Sequence, residues 1–152
     1  MARVLVIGYG NPLRSDDGVG LLAVRALREQ LAGTDAEFVE CQQLNMELAQ
    51  PISEAEFVVF IDASTHGVPG EIVYEHLKPE AKPIASLSHG ADPAVLLQAA
   101  HELYGNAPEA LLATIAGECF GYGTELTKHV ARSMKGVVNR LTEMLGARLA
   151  CN

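Results

Sequence analysis

The sequence predicts an α/β fold with a mainly parallel five-stranded sheet. Two observations carry the prediction: short apolar runs alternate along the chain with stretches whose apolar residues recur at helical spacing, and the first run ends in a glycine-rich segment that joins a strand to a helix. A third sets the scale. The 152 residues, 49% of them hydrophobic, are enough for one domain, 1–152, with a substantial core.

The elements follow in order. Residues 3–8, RVLVIG, form a short apolar strand closed by glycine. From Gly18 to Leu31, Val19, Leu22, Ala23, Ala26 and Leu27 fall on one helical face, and Gly33 supplies the stop. Residues 36–41 read as a second strand. A short helix is expected around Asn45–Ala49, stopped by Pro51. FVVFID at 57–62 is the clearest strand, and an Asx-turn at Asp62 is the simple way to leave it. After a turn with Gly67, Pro69 and Gly70, EIVYEHL at 71–77 alternates with period two. It follows its predecessor so closely that an antiparallel course, and hence a mixed sheet, is open to it. Residues 78–91 have no period and hold Pro79 and Pro83, a connection long enough to suggest function. Asp92-Pro93 then caps and opens a helix to Tyr104, ended by Gly105-Asn106. Residues 110–116 are the fifth strand. Residues 127–145 close the chain as a helix whose inner face is Val130, Met134, Val137, Val138, Leu141 and Leu145.

Composition excludes several classes. No apolar run reaches 18 residues, so no transmembrane helix and no membrane partner is expected. The N-terminal apolar stretch is short and broken by glycine, which reads as a strand and not a signal peptide, so the expected location is cytoplasmic. The three cysteines, Cys41, Cys119 and Cys151, are odd in number and form no C-x-x-C pair, which suits a reducing compartment. Residues 35–118 carry two basic and fourteen acidic side chains, a net of −12 within a total of −8. Such a surface repels phosphate backbones, so no nucleic-acid partner is expected, and a cation or basic peptide suits it better.

The segment Gly8–Gly20, GYGNPLRSDDGVG, sits where nucleotide-binding folds place their glycine loop. Gly8 and Gly10 fit the start of that fingerprint, but Leu13 stands where its last glycine belongs, and Asp16 and Asp17 would repel a pyrophosphate at the helix start. One aspartate can cap the helix while the other projects above the sheet. A capping Asp16 would be worth on the order of 1 kcal/mol. If strands one and three are neighbours, Asp62 meets this pair at the carboxyl rim, where ligands bind in open α/β sheets. Of five histidines, His76, His101 and His129 lie in regular elements, His66 is an auxiliary candidate, and His89 lies in the long loop just before Asp92. Two carboxylates and an imidazole make a three-donor site with open positions, suited to zinc or nickel.

These residues resemble the hydrogenase maturation endopeptidases, whose pattern G-x-G-N, spacer, D-[DE]-G-x-G is matched throughout by Gly8–Gly20, with Asp62 and Ser88-His89-Gly90 at the family's other two positions. The resemblance spans essentially the whole chain. It implies a three-layer α/β/α fold and an aspartyl-type endopeptidase that activates nickel–iron hydrogenase by removing the C-terminal extension of its large-subunit precursor after nickel insertion. Asp17, Asp62 and His89 would be both the catalytic and the metal-recognising residues. The nickel would arrive with the precursor, with zinc or cadmium able to substitute, and the protein would act as a monomer. Asp16 would support the loop or cap the helix. Two rival readings remain: a metal-dependent chaperone that does not cut, and a cysteine hydrolase built on Cys119 with His89 and Asp62.

Overall fold

A computed structural model describes residues 3–81 and 92–150. The elements run β1 (Val4–Tyr9), α1 (Val19–Gln30), β2 (Ala36–Cys41), α2 (Ala49–Glu54), β3 (Phe57–Ser64), β4 (Ile72–Leu77), α3 (Pro93–Tyr104), β5 (Glu109–Ala116) and α4 (Lys128–Ala150). The five strands form one sheet in the order β2-β1-β3-β5-β4. All neighbours are parallel except β4, which runs antiparallel to β5. The α/β class and the mainly parallel sheet expected from the sequence are both present, and β4 takes the antiparallel course that the sequence left open to it.

Strand periodicity sorts the core into two layers. Val4, Val6, Phe57, Val59 and Ile61 face α1 and α4, whose Val24, Leu27, Val137, Leu141 and Leu145 complete one cluster. Leu5, Ile7, Val58 and Phe60 face α2 and α3, meeting Ala49, Ile52, Leu96 and Leu97. Helices therefore cover both faces, which makes three layers.

Several boundaries differ from the sequence reading. Pro51 does not stop a helix but sits in the first turn of α2, where its missing N–H would have had no helical partner. Asn45 instead starts a 3₁₀ turn, Met46–Leu48, by accepting the Glu47 N–H at 2.9 Å. β3 runs past Asp62 to Ser64, because β5 continues to pair with it through Ala63↔Ile115 and Ser64↔Ala116. β4, whose partner the sequence left open, pairs with β5 and not with β3, its predecessor. The reason is burial. β5 is largely apolar on both faces and takes the inner position, whereas β4 exposes Val73, Glu75 and His76 and takes the edge. α4 continues beyond 145 to Ala150, where the Arg3 guanidinium donates to the carbonyls of Arg148 and Leu149 (3.2 and 3.3 Å).

The contact that positions the site is made without side chains. α1 enters directly over the ends of β1 and β3. A Cβ on Gly8 would strike the Gly20 carbonyl, and a Cβ on Gly20 would strike the Ile61 carbonyl. Two of the motif's glycines thus let the helix start touch both strands. Gly20→Ala is expected to lower stability by about 2 kcal/mol through this overpacking, read as a lowered urea midpoint; an unchanged midpoint would show that the approach is dispensable.

Candidate active site

β1 and β3 are adjacent, and their last paired residues are Gly8 and Ile61. The next residues, Tyr9 and Asp62, therefore stand together at the carboxyl rim of the sheet. The chain leaving β1 turns through Gly10, whose φ of +144° suits glycine and whose Cα faces the Asp17 backbone. It then forms a 3₁₀ turn, Ser15–Gly18, that carries both aspartates.

Asp17 is half-buried, and its Oδ2 accepts the Asn11 N–H at 2.7 Å. Asp62 is close enough to feel its charge. The Asp62 Oδ1 accepts the Ala63 N–H at 2.8 Å, and the Tyr9 phenol donates to the same carboxylate. Burial pushes the Asp62 carboxyl up to about 7, and the negative charge of Asp17 adds to the push against the two hydrogen bonds. Burial also raises Tyr9, followed by the charge and hydrogen bond of Asp62 and then the charge of Asp92 at the start of α3. The rim thus brings two carboxylates and a buried phenol together, with a third carboxylate near the phenol. Such a group of mutually repelling acids holds a cation in preference to an anion.

Tyr9 was missed in the sequence reading, and Asp92 was read only as a helix cap. Asp92 does cap α3, accepting the Ala94 N–H at 2.8 Å. A signal for Tyr9 exists in its place between Gly8 and Gly10, at the end of a buried strand beside the one bearing Asp62.

Asp16 is not the cap of α1, whose N-cap is Gly18 with no side-chain bond. It is fully buried and accepts from the backbone of Glu118, Cys119 and Thr127 and from the Thr127 hydroxyl. Burial pushes this carboxyl up, but the four hydrogen bonds outweigh it and hold the carboxyl below its ordinary range. Cys119 is exposed in the segment after β5, with its N–H and carbonyl both engaged by Asp16. His66 is exposed in the turn after β3, and His76, His101 and His129 are exposed on β4, α3 and α4. His89 lies outside the described residues, and with it the third donor of the expected trio and the base of the cysteine-hydrolase reading. Among the described residues no three His, Cys, Asp or Glu side chains are grouped to hold a metal.

The nucleotide reading finds no support in this geometry. The Asn11 amide, which would serve a phosphate, is already bound by a carboxylate. Among the described residues no helix is long and apolar enough to cross a membrane.

No protein-family model matches the chain, and no curated protein matches its sequence. Solved structures do. A [NiFe] hydrogenase maturation protease, HycI, from Thermococcus kodakarensis KOD1 superposes with a TM-score of 0.77 at 21% identity, over 95% of this chain and 93% of that one. HybD from Thermococcus kodakarensis gives 0.71 at 25% identity, over 93% and 98%. The maturating endopeptidase HybD from E. coli gives 0.68 at 24%, over 93% of each chain. Across nearly its whole length, this chain has the fold of the [NiFe] hydrogenase maturation proteases.

Proposed function

We propose that the protein is an endopeptidase that removes the C-terminal extension of a nickel–iron hydrogenase large-subunit precursor after nickel insertion. The observation that carries this reading is the pairing of Asp17 with Asp62 at the rim of a chain with the maturation-protease fold. Two adjacent, half-buried carboxylates supply oxygen donors for a divalent cation and destabilise each other until a cation arrives. His89 is the third group of the reading, from the segment that leads into Asp92.

The nickel belongs to the client. Two carboxylates and one imidazole hold a free ion loosely compared with a four-ligand structural site, whereas an ion already held by client thiolates brings most of its own shell. Zinc or cadmium would substitute at the same donors. Once docked, the ion can polarise the scissile carbonyl or the attacking water, with a rim carboxylate as proton acceptor. The protein would thus act as a checkpoint, cutting only precursor that has received its metal. The reading places it as a monomer in the cytoplasm, which suits the unpaired thiols of Cys41 and Cys119.

The test incubates the purified protein with nickel-loaded and nickel-free precursor and follows the client's C-terminus by mass spectrometry. Cleavage of the loaded form alone is expected, reduced on the order of 100-fold or more by Asp17→Ala or His89→Ala. Equal cleavage of both forms with chelator present would indicate an ordinary peptidase. Binding without cleavage would indicate a chaperone. A Cys119→Ser protein is expected to cut normally, and loss of cutting there would revive the cysteine nucleophile.

A further inference from the structure

We propose that Asp16 is a positioning residue for Asp17: its buried carboxylate clamps the turn that carries both to the segment after β5. The inference rests on the reading of Asp17 as a cation-recognising group. Both Asp16 oxygens are in use. Oδ2 accepts from the N–H of Glu118 (2.9 Å), the N–H of Cys119 (3.0 Å) and the Thr127 hydroxyl (2.8 Å), and Oδ1 accepts the Thr127 N–H (2.8 Å). A helix cap uses one or two such bonds and remains wet. Asp16 uses four, in a side chain with 0% exposure.

The rest of the turn is tied to the same segment. Ser15 donates its N–H to the Gly123 carbonyl at 2.9 Å and its hydroxyl to the Gly121 carbonyl at 2.9 Å. Asp16 donates its own N–H to the Cys119 carbonyl at 3.0 Å, and Gly123 returns an N–H to the Leu13 carbonyl at 2.9 Å. Arg14 lies over the Tyr122 ring at 4.7 Å. These ties hold Ser15 at φ +52°, the one positive value among the described non-glycine residues. A non-glycine residue stays in that region only where its surroundings impose it.

The consequence is directional. In a 3₁₀ turn successive side chains leave about 120° apart. With Asp16 drawn into the segment after β5, Asp17 is turned out of it, and its Oδ2 meets the Asn11 N–H. Thr127 immediately precedes α4, a helix of 23 residues, so the positive end of that helix also favours the Asp16 anion. The adjacent acids of the motif therefore divide their labour: the first fixes the turn, and the second is presented at the rim.

Thr127→Val tests this by removing one of the four donors while keeping the backbone ones, and Thr127→Ser restores the hydroxyl. The readout is the backbone amide resonance of Asn11 in the intact, isotope-labelled protein, because that proton bonds to Asp17. The Asn11 resonance should move in Thr127→Val and return in Thr127→Ser. In client cleavage, kcat should fall about tenfold in Thr127→Val with KM nearly unchanged. If the Glu118 and Cys119 amides move while Asn11 stays, Asp16 holds only its own segment and the proposal is overturned. The amide measurement needs no client. It therefore decides the positioning role even if the wild-type protein proves unable to cut, a result that would remove the endopeptidase reading alone. Should Thr127→Val not fold, Ser15→Ala removes the hydroxyl tie to Gly121 and is read on the same resonance with the same two outcomes.

Discussion

Replacing Asp16 by alanine is expected to lower stability by roughly 3–5 kcal/mol, whereas Asp17→Ala next to it should change stability by no more than about 1 kcal/mol. The sequence expectation for a helix-capping Asp16 was on the order of 1 kcal/mol, and the difference follows from what the carboxylate does. Its loss leaves three backbone N–H groups and a hydroxyl without the acceptor around which their segment is folded, at a carboxylate that has 0% exposure. Each stranded donor costs about 1–3 kcal/mol before relaxation. Asp17 is half-buried, has one backbone partner, and faces a second carboxylate whose repulsion its removal relieves. Urea unfolding of the two variants at pH 7 measures both values. A cost near 1 kcal/mol for Asp16→Ala would mean that the segment after β5 finds other acceptors. The pH dependence has a definite sign. Hydrogen bonding holds the folded-state Asp16 carboxyl below its ordinary value of 3.8. Its contribution is therefore present above that ordinary value and is lost as pH falls through the lower folded-state value.

Asp62 should behave in the opposite sense. Its carboxyl is raised to about 7 in the folded protein from an ordinary 3.8. The unfolded chain gives up this proton first as pH rises, so the native state loses stability between about 4 and 7 and stays lower above that window. The integrated loss is roughly 4 kcal/mol if no other group compensates. Asp62→Asn cannot ionise and keeps a carbonyl oxygen for the Ala63 N–H. The variant should equal the wild type near pH 4 and exceed it by about 3–4 kcal/mol at pH 8. Comparing the two proteins at each pH cancels Asp16 and the other acids common to both. Parallel stability curves for wild type and variant would show that Asp62 ionises freely. A gain in stability with loss of client cleavage is the pattern of a site kept under electrostatic strain for function.

The division of acids at the first loop was only half legible in the sequence. Spacing identified Asp16 and Asp17 as a pair at a strand-to-helix junction, and placed Asp62 beside them on the condition that strands one and three are neighbours, which the parallel pairing of β1 with β3 meets. It did not show which acid turns inward. That depends on the segment 117–127, more than a hundred residues away, whose own sequence has neither period nor motif. Tyr9 was legible only as a residue at the end of the first strand: that its phenol meets Asp62 across two neighbouring strands depends on a register known only once the sheet is assembled.

What the sequence determined by itself was everything governed by local period and punctuation. The two-residue and helical repeats defined the elements, the glycines and Asp92-Pro93 marked most of their ends, and the Gly8–Gly20 motif pointed to the rim where Asp17 and Asp62 meet. Tertiary structure decided what depends on burial across distant segments. It put the doubly apolar β5 inside the alternating β4, carried α4 past residue 145 under the Arg3 guanidinium, kept Pro51 within a helix, and drew Asp62 partly out of water while surrounding Asp16 with four donors. The physical reason is common to all of these. A side chain's preference for strand, helix or cap is a local energy of a kilocalorie or less, whereas leaving apolar area or a polar group wrongly buried costs several, so the assembled core decides wherever the two compete.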